Sequence, residues 1–152
     1  MDSYDLKILE AIMNRSRIKW ADLASLIGLS APAAAERVSR LQEQGVIKEF
    51  STVIDPEAVG CGLMAFVAVS LARPEHRAPF LKLVQQLDEV QECHHIAGED
   101  DYLLKIRCRS TKDLDRIISH ELKSLDGIVR TKTTIVMDSV KETTRLPLRS
   151  EP

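Results

Sequence analysis

Aromatic residues are scarce in this 152-residue chain, at 4% of the sequence, so its core must be built mostly from aliphatic side chains. No apolar run approaches the roughly 18 residues of a membrane span, and the acidic, amphipathic start MDSYDLKILE is unlike a secretory signal. Three cysteines form an odd set without framework spacing, which argues against a disulfide scaffold and indicates a reducing compartment. We therefore expect a cytoplasmic protein with no membrane partner.

A large charge of either sign is also missing, because the net charge is −2 and the isoelectric point is near 6.1. Hydrophobic residues make up 44% of the chain and charged residues 29%, which is typical of one globular domain or two small ones. Composition therefore does not point to nucleic acid. Any affinity for DNA must come from local clusters of Lys and Arg.

The first part of the chain has the pattern of consecutive short helices. Apolar residues recur at helical spacing from Leu6 to Met13, with Asp2 or Ser3 as the candidate N-cap and Asp5 facing solvent. A second apolar stripe begins at Trp20, which we expect to anchor the core, and ends at Gly28, a residue suited to the left-handed conformation after a helix.

A third helix and a small ribbon are predicted to follow. Ser30 is a good N-cap, and Pro32 falls in the first turn, where its missing N–H costs little. Gly45 stops this helix, and Val46–Ile47 with Phe50–Ile54 is predicted to form a hairpin. Helix, glycine turn, helix and ribbon together predict a winged helix-turn-helix.

The remainder of the chain predicts a second domain. Residues 55–62, DPEAVGCG, contain a proline and two glycines and read as a linker. We therefore place a helix-turn-helix domain at 1–54, with the motif itself at about 20–39, and a second domain at 63–152. In the second domain, strands alternate with two helices in the β-α-β-β-α-β order of a ferredoxin-like unit, which makes the chain α+β. The predicted strands are Leu63–Leu71, Val90–Ile96, Tyr102–Cys108 and Ile128–Met137.

Two helices can cover only one face of such a sheet. The other face needs a covering layer, so we expect a dimer in which open sheet faces stack. The basic, proline-containing tail Lys141–Pro152 is expected to form an arm or to pack on a neighbour.

Four segments carry a resemblance to a known family: DLKILEAIMNRSRIKWADLASLIGLS, ERVSRLQEQGVIKEFSTVID, VQECHHIAGEDDYLLKI and KTTIVMDSVKETTRLPL. In this order and spacing, over nearly the whole chain, the sequence resembles the leucine-responsive regulatory protein/AsnC family of prokaryotic transcription regulators. QECHHIAGEDDYLLK and VKETTRLPL are most similar to its leucine-responsive branch. The resemblance implies an N-terminal winged helix-turn-helix, a C-terminal amino-acid-sensing domain, dimers that assemble further, commonly to octamers, and an amino-acid effector bound between dimers.

The third helix is predicted to read double-stranded DNA from its N-terminal end. Arg37 and Arg40 share one face and suit phosphate or a guanine edge, and Arg15, Arg17 and Lys19 can reach flanking phosphates. Alanines in the first turns contact thymine methyls but make no base hydrogen bonds, so we expect modest sequence preference, with DNA bending and multivalency contributing to selection. The predicted DNA-binding residues are Arg17, Ser30, Ala31, Pro32, Ala33, Glu36, Arg37, Arg40 and Lys48.

The turn between the second and third strands is the predicted effector site. Its amides can receive a carboxylate, Asp100 or Asp101 can meet an ammonium group, and neighbouring strands can line the side chain. The leucine-responsive likeness makes leucine or methionine the first expectation. The predicted effector-binding residues are Ile96, Ala97, Gly98, Glu99, Asp100, Asp101, Tyr102, Thr133 and Thr134.

No catalytic or metal-binding motif is present, and no cofactor is expected. Cys93 and His95 share one strand face and His94 takes the other, which does not converge three or four metal ligands. Two alternatives stay open. One is a ligand-independent architectural DNA-binding protein, and the other is an enzyme of the sirohaem-decarboxylase type, built on the same two-domain fold, that uses His94 or His95.

Overall fold

The computed structural model describes residues 1–148, and these divide into two compact units. The first comprises Met1–Val53 together with the described residues from Glu142 onward, and the second is Ile54–Lys141. The tail thus groups with the helix-turn-helix unit, whereas we had placed it in the second domain. Residues 149–152, the end of that predicted domain and of its C-terminal arm, lie outside the described residues.

Three helices form the first unit: α1 Ser3–Asn14, α2 Trp20–Ile27 and α3 Ala31–Glu43. Asp2 caps α1 in a capping box, in which its carboxylate accepts from the Asp5 amide and the Asp5 carboxylate accepts from the Asp2 amide. Gly28 ends α2 with φ of 75°, and the Ser30 hydroxyl accepts from the Ala33 amide at the start of α3. The predicted caps are confirmed.

Apolar stripes of the three helices meet in one core. Their spacing of three and four residues places these side chains on one face of each helix. Each such side chain contributes roughly 1.5–3 kcal/mol when it is fully buried. The buried set is Ile8, Ala11, Ile12, Leu23, Ala24, Ile27, Ala34, Val38, Leu41 and Ile47.

The predicted hairpin after α3 is wrong, because the structure forms no strand between Val46 and Ile54. Gly45, with φ of 71°, ends the helix in a turn whose next amides, those of Val46 and Ile47, donate to the Leu41 carbonyl. Only Ile47 is buried, while Val53 is 90% exposed. A lone two-stranded ribbon without an apolar face to bury is marginal in water, which explains the irregular backbone.

Two side chains of this unit take environments opposite to those predicted. Asp5, expected to face solvent, is only 3% exposed, because it returns the capping box and meets two arginines of α3. Trp20, expected in the core, is 46% exposed. It is the first residue of α2, and the buried stripe of that helix starts one turn later, at Leu23.

The second unit is a four-stranded antiparallel sheet with helices. Its strands are β1 Leu63–Leu71, β2 Val90–His95, β3 Tyr102–Cys108 and β4 Ile128–Ile135, in the order β2-β3-β1-β4. The helices are α4 Arg77–Gln86, entered through a 3₁₀ turn at Pro74–His76, and α5 Thr111–Asp115, which continues as a π-helical segment Arg116–Leu122. The predicted ferredoxin-like order is confirmed.

Strand alternation divides the sheet into two faces. On one face, Tyr102, Leu104 and Ile106 pack with Phe80 of α4 and Ile117 of the π-helical segment. The other face, which we call the open face, carries alternate residues that are less buried on average. On β1, β3 and β4, the residues of the open face are Met64, Phe66, Ala68, Ser70, Leu103, Lys105, Arg107, Arg130, Lys132 and Thr134. No helix among the described residues has the length and apolarity needed to cross a membrane.

Candidate functional site

The structure distributes the predicted DNA-binding residues between exposed and partly buried positions. Ser30, Pro32, Glu36 and Arg40 of the α3 region are exposed, as are Arg17 and Lys48, whereas Ala31, Ala33 and Arg37 are partly buried.

Arg37 is held by carboxylates at the start of α1. Its Nη1 lies 2.8 Å from Asp2 Oδ2 and 2.8 Å from Asp5 Oδ1, and its guanidinium carbon lies 5.2 Å from the centroid of the Tyr4 ring. Arg40 Nη2 lies 3.2 Å from the same Asp5 oxygen. We call Asp2, Tyr4, Asp5, Arg37 and Arg40 the Asp5 cluster. It joins α1 to α3 through charged groups, in addition to the apolar core that the two helices share.

Both carboxyl groups of the Asp5 cluster are held in their charged form. The backbone amide of Asp5 and the Arg37 guanidinium lower the pKa of Asp2. Burial pushes the pKa of Asp5 upward, but the Asp2 amide and Arg37 outweigh it, so that this pKa is lowered as well. The cluster therefore favours the folded unit whenever both aspartates are ionised.

The helix-turn-helix unit is consequently expected to lose stability in acid. A group whose pKa is lower in the folded state stabilises fully above its unfolded pKa, about 3.9 for aspartate, and loses that contribution as the pH falls through the folded value. Urea unfolding followed by fluorescence of Trp20, the single tryptophan, should show this loss below about pH 4. The D2N/D5N variant should lose less stability on acidification, whereas Asp126→Asn, an exposed site in the second unit, should follow the wild type.

The cations of the α1–α2 loop have no such partners. Among the described residues, Arg15, Arg17 and Lys19 form no ion pair, and neither does Lys48 after α3. The loop lines a shallow depression of about 450 Å³ that also includes Asn14 and Asp22. Lys19 is the N-cap of α2 and makes no side-chain capping bond, so the positive end of that helix opens at the same place. We call Arg15–Lys19 the cationic loop.

The predicted effector loop, residues 96–101, folds over the end of β1. The Asp101 amide donates to the Val69 carbonyl at 3.0 Å, and Asp101 Oδ2 accepts from the Leu71 amide at 2.7 Å. Asp100 Oδ1 accepts from the Ser70 hydroxyl at 2.6 Å and from Arg130 Nη2 at 2.8 Å. One oxygen of each aspartate thus fixes the base of the loop, while Asp100 Oδ2 and Asp101 Oδ1 accept no hydrogen bond from residues 1–148. Contact of Asp100 or Asp101 with an ammonium group stays a prediction.

The tip of the loop is exposed and unbonded. Ala97, Gly98 and Glu99 are exposed, and within residues 1–148 the amides from Ala97 to Asp100 donate to no protein acceptor. Gly98 has open space where a Cβ would stand and does not need a left-handed φ, so a side chain is tolerated there. A fixed base with a free row of amides suits an incoming anion.

The two predicted threonines lie away from this loop. Thr133 is the register partner of Val67 and Thr134 of Phe66, three and four positions along β4 from the Ser70–Arg130 pair. Since neighbouring strand residues alternate in direction, the two threonines also point to opposite faces. Ser70 and Arg130 contact the loop, but nothing in the sequence predicted it. They reach the loop because β1 lies between β3 and β4 in the sheet.

Tyr102 closes the loop on the buried side. It is 3% exposed, and its ring centroid lies 4.8 Å from that of Phe80 and 5.1 Å from that of His95. Its hydroxyl is buried and has no hydrogen-bond partner among residues 1–148. A buried hydroxyl that makes no bond carries its desolvation cost without compensation.

Tyr102→Phe is therefore expected to leave the stability of the second unit unchanged or to raise it by up to about 1 kcal/mol. Tyr102→Ala should instead cost about 3–5 kcal/mol, because it opens a cavity beside Phe80. Urea unfolding followed by far-ultraviolet circular dichroism measures both variants. A clear destabilisation by the Phe substitution would mean that the hydroxyl is bonded in solution.

The cysteine and histidine cluster offers no metal site. His94 Nε2 lies 3.0 Å from Glu92, which also binds Lys105, while His95 lies on the other strand face beside Tyr102. In the described part of the chain, no group of three or more His, Cys, Asp or Glu residues could hold a metal ion. A second depression, of about 490 Å³, lies around α5 and Arg116, away from the effector loop, and Arg116 there is bound by Glu89, Asp113 and Glu121.

Comparison with known families matches both units. The winged helix-turn-helix DNA-binding family matches residues 1–48, and the Lrp/AsnC ligand binding domain family matches residues 64–146. The chain is 36% identical to the leucine-responsive regulatory protein of Haemophilus influenzae, across 98% of this chain and 91% of the relative. It is 38% identical to the proline dehydrogenase transcriptional activator of Rhizobium radiobacter, across 94% and 93% of the two chains.

Solved structures give the same result. A transcriptional regulator from Neisseria meningitidis, crystallised in complex with L-methionine, superposes with a TM-score of 0.92 at 28% identity, covering 97% of this chain and 96% of its own. AsnC of Escherichia coli superposes with a TM-score of 0.88 at 28% identity, covering 95% and 97%. The similarity spans both units.

Proposed function

The chain belongs to the Lrp/AsnC family of transcriptional regulators, and we propose how its two units share the work of regulation. It has a DNA-binding domain and an amino-acid-binding domain, and it is a regulator rather than an enzyme. We propose that α3 and the cationic loop bind double-stranded DNA. We further propose that an amino acid bound at loop 96–101 changes the assembly or the DNA affinity of the protein.

The unpaired cations of the cationic loop carry the proposal for DNA. In a helix-turn-helix the second helix enters the major groove while the first crosses the backbone, so Arg15, Arg17 and Lys19 at the start of α2 suit phosphates. Arg37 instead positions α3, because both of its carboxylate partners belong to the same unit. Arg40, about half exposed, and Lys48 remain phosphate candidates.

The surface left for bases is small and has few hydrogen-bonding groups. Ser30, Ala31, Pro32 and Ala33 begin α3, and Glu36 is the first charged residue after them. Alanine and proline contact thymine methyl groups but donate no hydrogen bond to a base. We therefore propose a modest sequence preference, in which DNA bending and multiple simultaneous contacts add selectivity.

The free amides of residues 97–100 support the effector proposal. They suit the carboxylate of an amino acid, and the exposed Glu99, or an unbonded oxygen of Asp100 or Asp101, can meet its ammonium group. The leucine-responsive relatives and the neighbour solved with L-methionine favour an apolar amino acid, so leucine and methionine are the first effectors to test.

The open face of the sheet supports self-association. Phe66, Ala68 and Leu103 give it a partly buried apolar centre between charged side chains, which suits stacking of a second copy. We propose a dimer that assembles further, to an octamer, in the cytoplasm. An effector changes regulation only if it binds one assembly or conformation better than another, and a coupling of about 1–3 kcal/mol shifts DNA occupancy about 5–150-fold.

A titration tests this function directly. The protein is added to labelled DNA from upstream of its own gene at fixed salt, with and without each of the twenty amino acids, and anisotropy is recorded. We expect binding that one or two amino acids shift. Gly98→Trp should remove the shift, while Gly98→Ala, which the open space tolerates, should keep it. Binding that no amino acid shifts would instead identify an architectural DNA-binding protein, and no binding would overturn the proposal for DNA.

A further inference from the structure

Arg130 lies on the open face of β4, next to the effector loop. It is the register partner of Ser70 on β1, and its Nη2 lies 2.8 Å from Asp100 Oδ1. Its side chain is 52% exposed. An arginine has five N–H donors, and among residues 1–148 only Nη2 is engaged, so most of the fork remains open to a ligand.

The carboxylate of Asp100 holds the Arg130 guanidinium in place and is itself fixed by Ser70. Asp100 Oδ1 accepts the Ser70 hydroxyl at 2.6 Å, and the side chain of Asp100 is only 13% exposed. The Ser70 hydroxyl and Arg130 both lower the pKa of Asp100, which keeps the anchoring carboxylate charged at neutral pH. The next residue, Asp101, is tied to β1 through Val69 and Leu71. Little ordering cost is therefore left for a ligand that binds Arg130.

The unbonded amides of Glu99 and Asp100 belong to the loop that meets this guanidinium. Backbone amides alone donate to a neutral carbonyl oxygen as readily as to a carboxylate oxygen. A guanidinium adds a charge-assisted, often two-pronged bond that only a carboxylate satisfies fully. The combination of fixed cation and free amides is thus selective for an anion, although three acidic residues occupy the same loop.

We propose that Arg130 receives the carboxylate of the bound amino acid, which makes it a specificity-determining residue, and that Asp100 is the positioning residue that aims it. The inference rests on the proposed effector function of this loop. It adds that the class of ligand is set by a free carboxylate, so that amino-acid amides are rejected.

Calorimetric titration of the full-length protein tests the proposal with two pairs of probes, L-leucine and L-leucinamide, and L-methionine and L-methioninamide. Whichever of the two amino acids binds the wild type more tightly should bind at least about tenfold more tightly than its own amide. Arg130→Gln should weaken binding of the acid by about 10–100-fold and leave the amide nearly unchanged, so that the ratio falls towards one. Arg130→Lys should restore part of the ratio, because it keeps the charge but loses the fork.

Lys123→Gln is the matched control, since Lys123 is exposed, directly follows the π-helical segment rather than lying on the open face, and its loss removes the same charge. It should keep the ratio of acid to amide. A ratio preserved in Arg130→Gln, or lost equally in Lys123→Gln, would overturn the assignment to Arg130. Equal binding of acid and amide by the wild type would overturn the carboxylate anchor while leaving the effector site standing. If the wild type binds none of the four probes, and no amino acid shifts its DNA-binding curve, both the effector function and this inference are overturned.

Discussion

Asp5→Ala is expected to destabilise the helix-turn-helix unit by about 2–4 kcal/mol, an unusually large effect for an aspartate near the end of a chain. The substitution removes the return bond of the capping box and strips Arg37 and Arg40 of their shared, 97%-buried partner. Asp2, which is half exposed, remains as the only carboxylate on Arg37 among the described residues. Unfolding in urea, followed by Trp20 fluorescence, reports on this unit alone.

A double-mutant cycle separates this ion pair from the helix cap. Asp5→Ala and Arg37→Ala, made singly and together, should give a coupling energy above about 1 kcal/mol. The control cycle uses Arg73 and Glu75, an exposed pair at 3.6 Å, for which about 0–0.5 kcal/mol is expected. Equal couplings in the two cycles would contradict the importance of the Asp5 cluster.

DNA binding distinguishes a positioning role of Arg37 from direct contact. If Arg37 holds α3 against α1, Arg37→Ala should weaken DNA binding without changing how steeply the affinity falls with salt. Loss of a phosphate contact would reduce that slope by about one. A smaller slope of log affinity against log salt in Arg37→Ala would show that Arg37 contacts a DNA phosphate directly.

Replacing Arg15, Arg17 and Lys19 together by alanine is expected to have the largest effect on DNA binding. Each side chain that neutralises a phosphate contributes about 0.9 to the slope of log affinity against log salt, so the triple variant should lose about three. The loss of affinity should be similar on different sequences, because phosphates carry no sequence information. Stability should change little, since these side chains are exposed and make no ion pairs within the described residues.

The matched control for this triple variant removes three exposed cations from the second unit: Arg77, Lys82 and Lys123. It changes the net charge by the same amount, so any long-range effect of charge on DNA association is equal in the two variants. Anisotropy titrations at several salt concentrations should give the wild-type slope for this control. An equal fall in slope for both triple variants would show that net charge, rather than the cationic loop, governs binding.

Local signals in the sequence were sufficient for the helices and for the order of helices and strands along the chain. Asp2, Gly28 and Ser30 act through groups within four residues, so their roles as caps follow from the sequence alone. Helical and alternating apolar spacing likewise identified the buried faces of both units, because burying those faces is the main stabilising term in folding. The predicted hairpin after Gly45 was wrong because local residue preferences favour strands there, but the fold offers these residues no apolar surface to pack against.

Only the tertiary structure decided which charged groups meet. Arg37 binds Asp2 across 35 positions, and Asp100 meets Ser70 and Arg130 across 30. No spacing rule reaches that far, since the partner of a charge depends on which elements the fold brings together. The sequence predicted that Arg37 contacts DNA and that Asp100 or Asp101 meets an ammonium group, and it gave no sign of the ion pairs that Arg37 and Asp100 form within their own units. Among residues 1–148, the fold leaves the cationic loop without ion pairs and most N–H donors of Arg130 without an acceptor, and our two binding proposals rest on these observations.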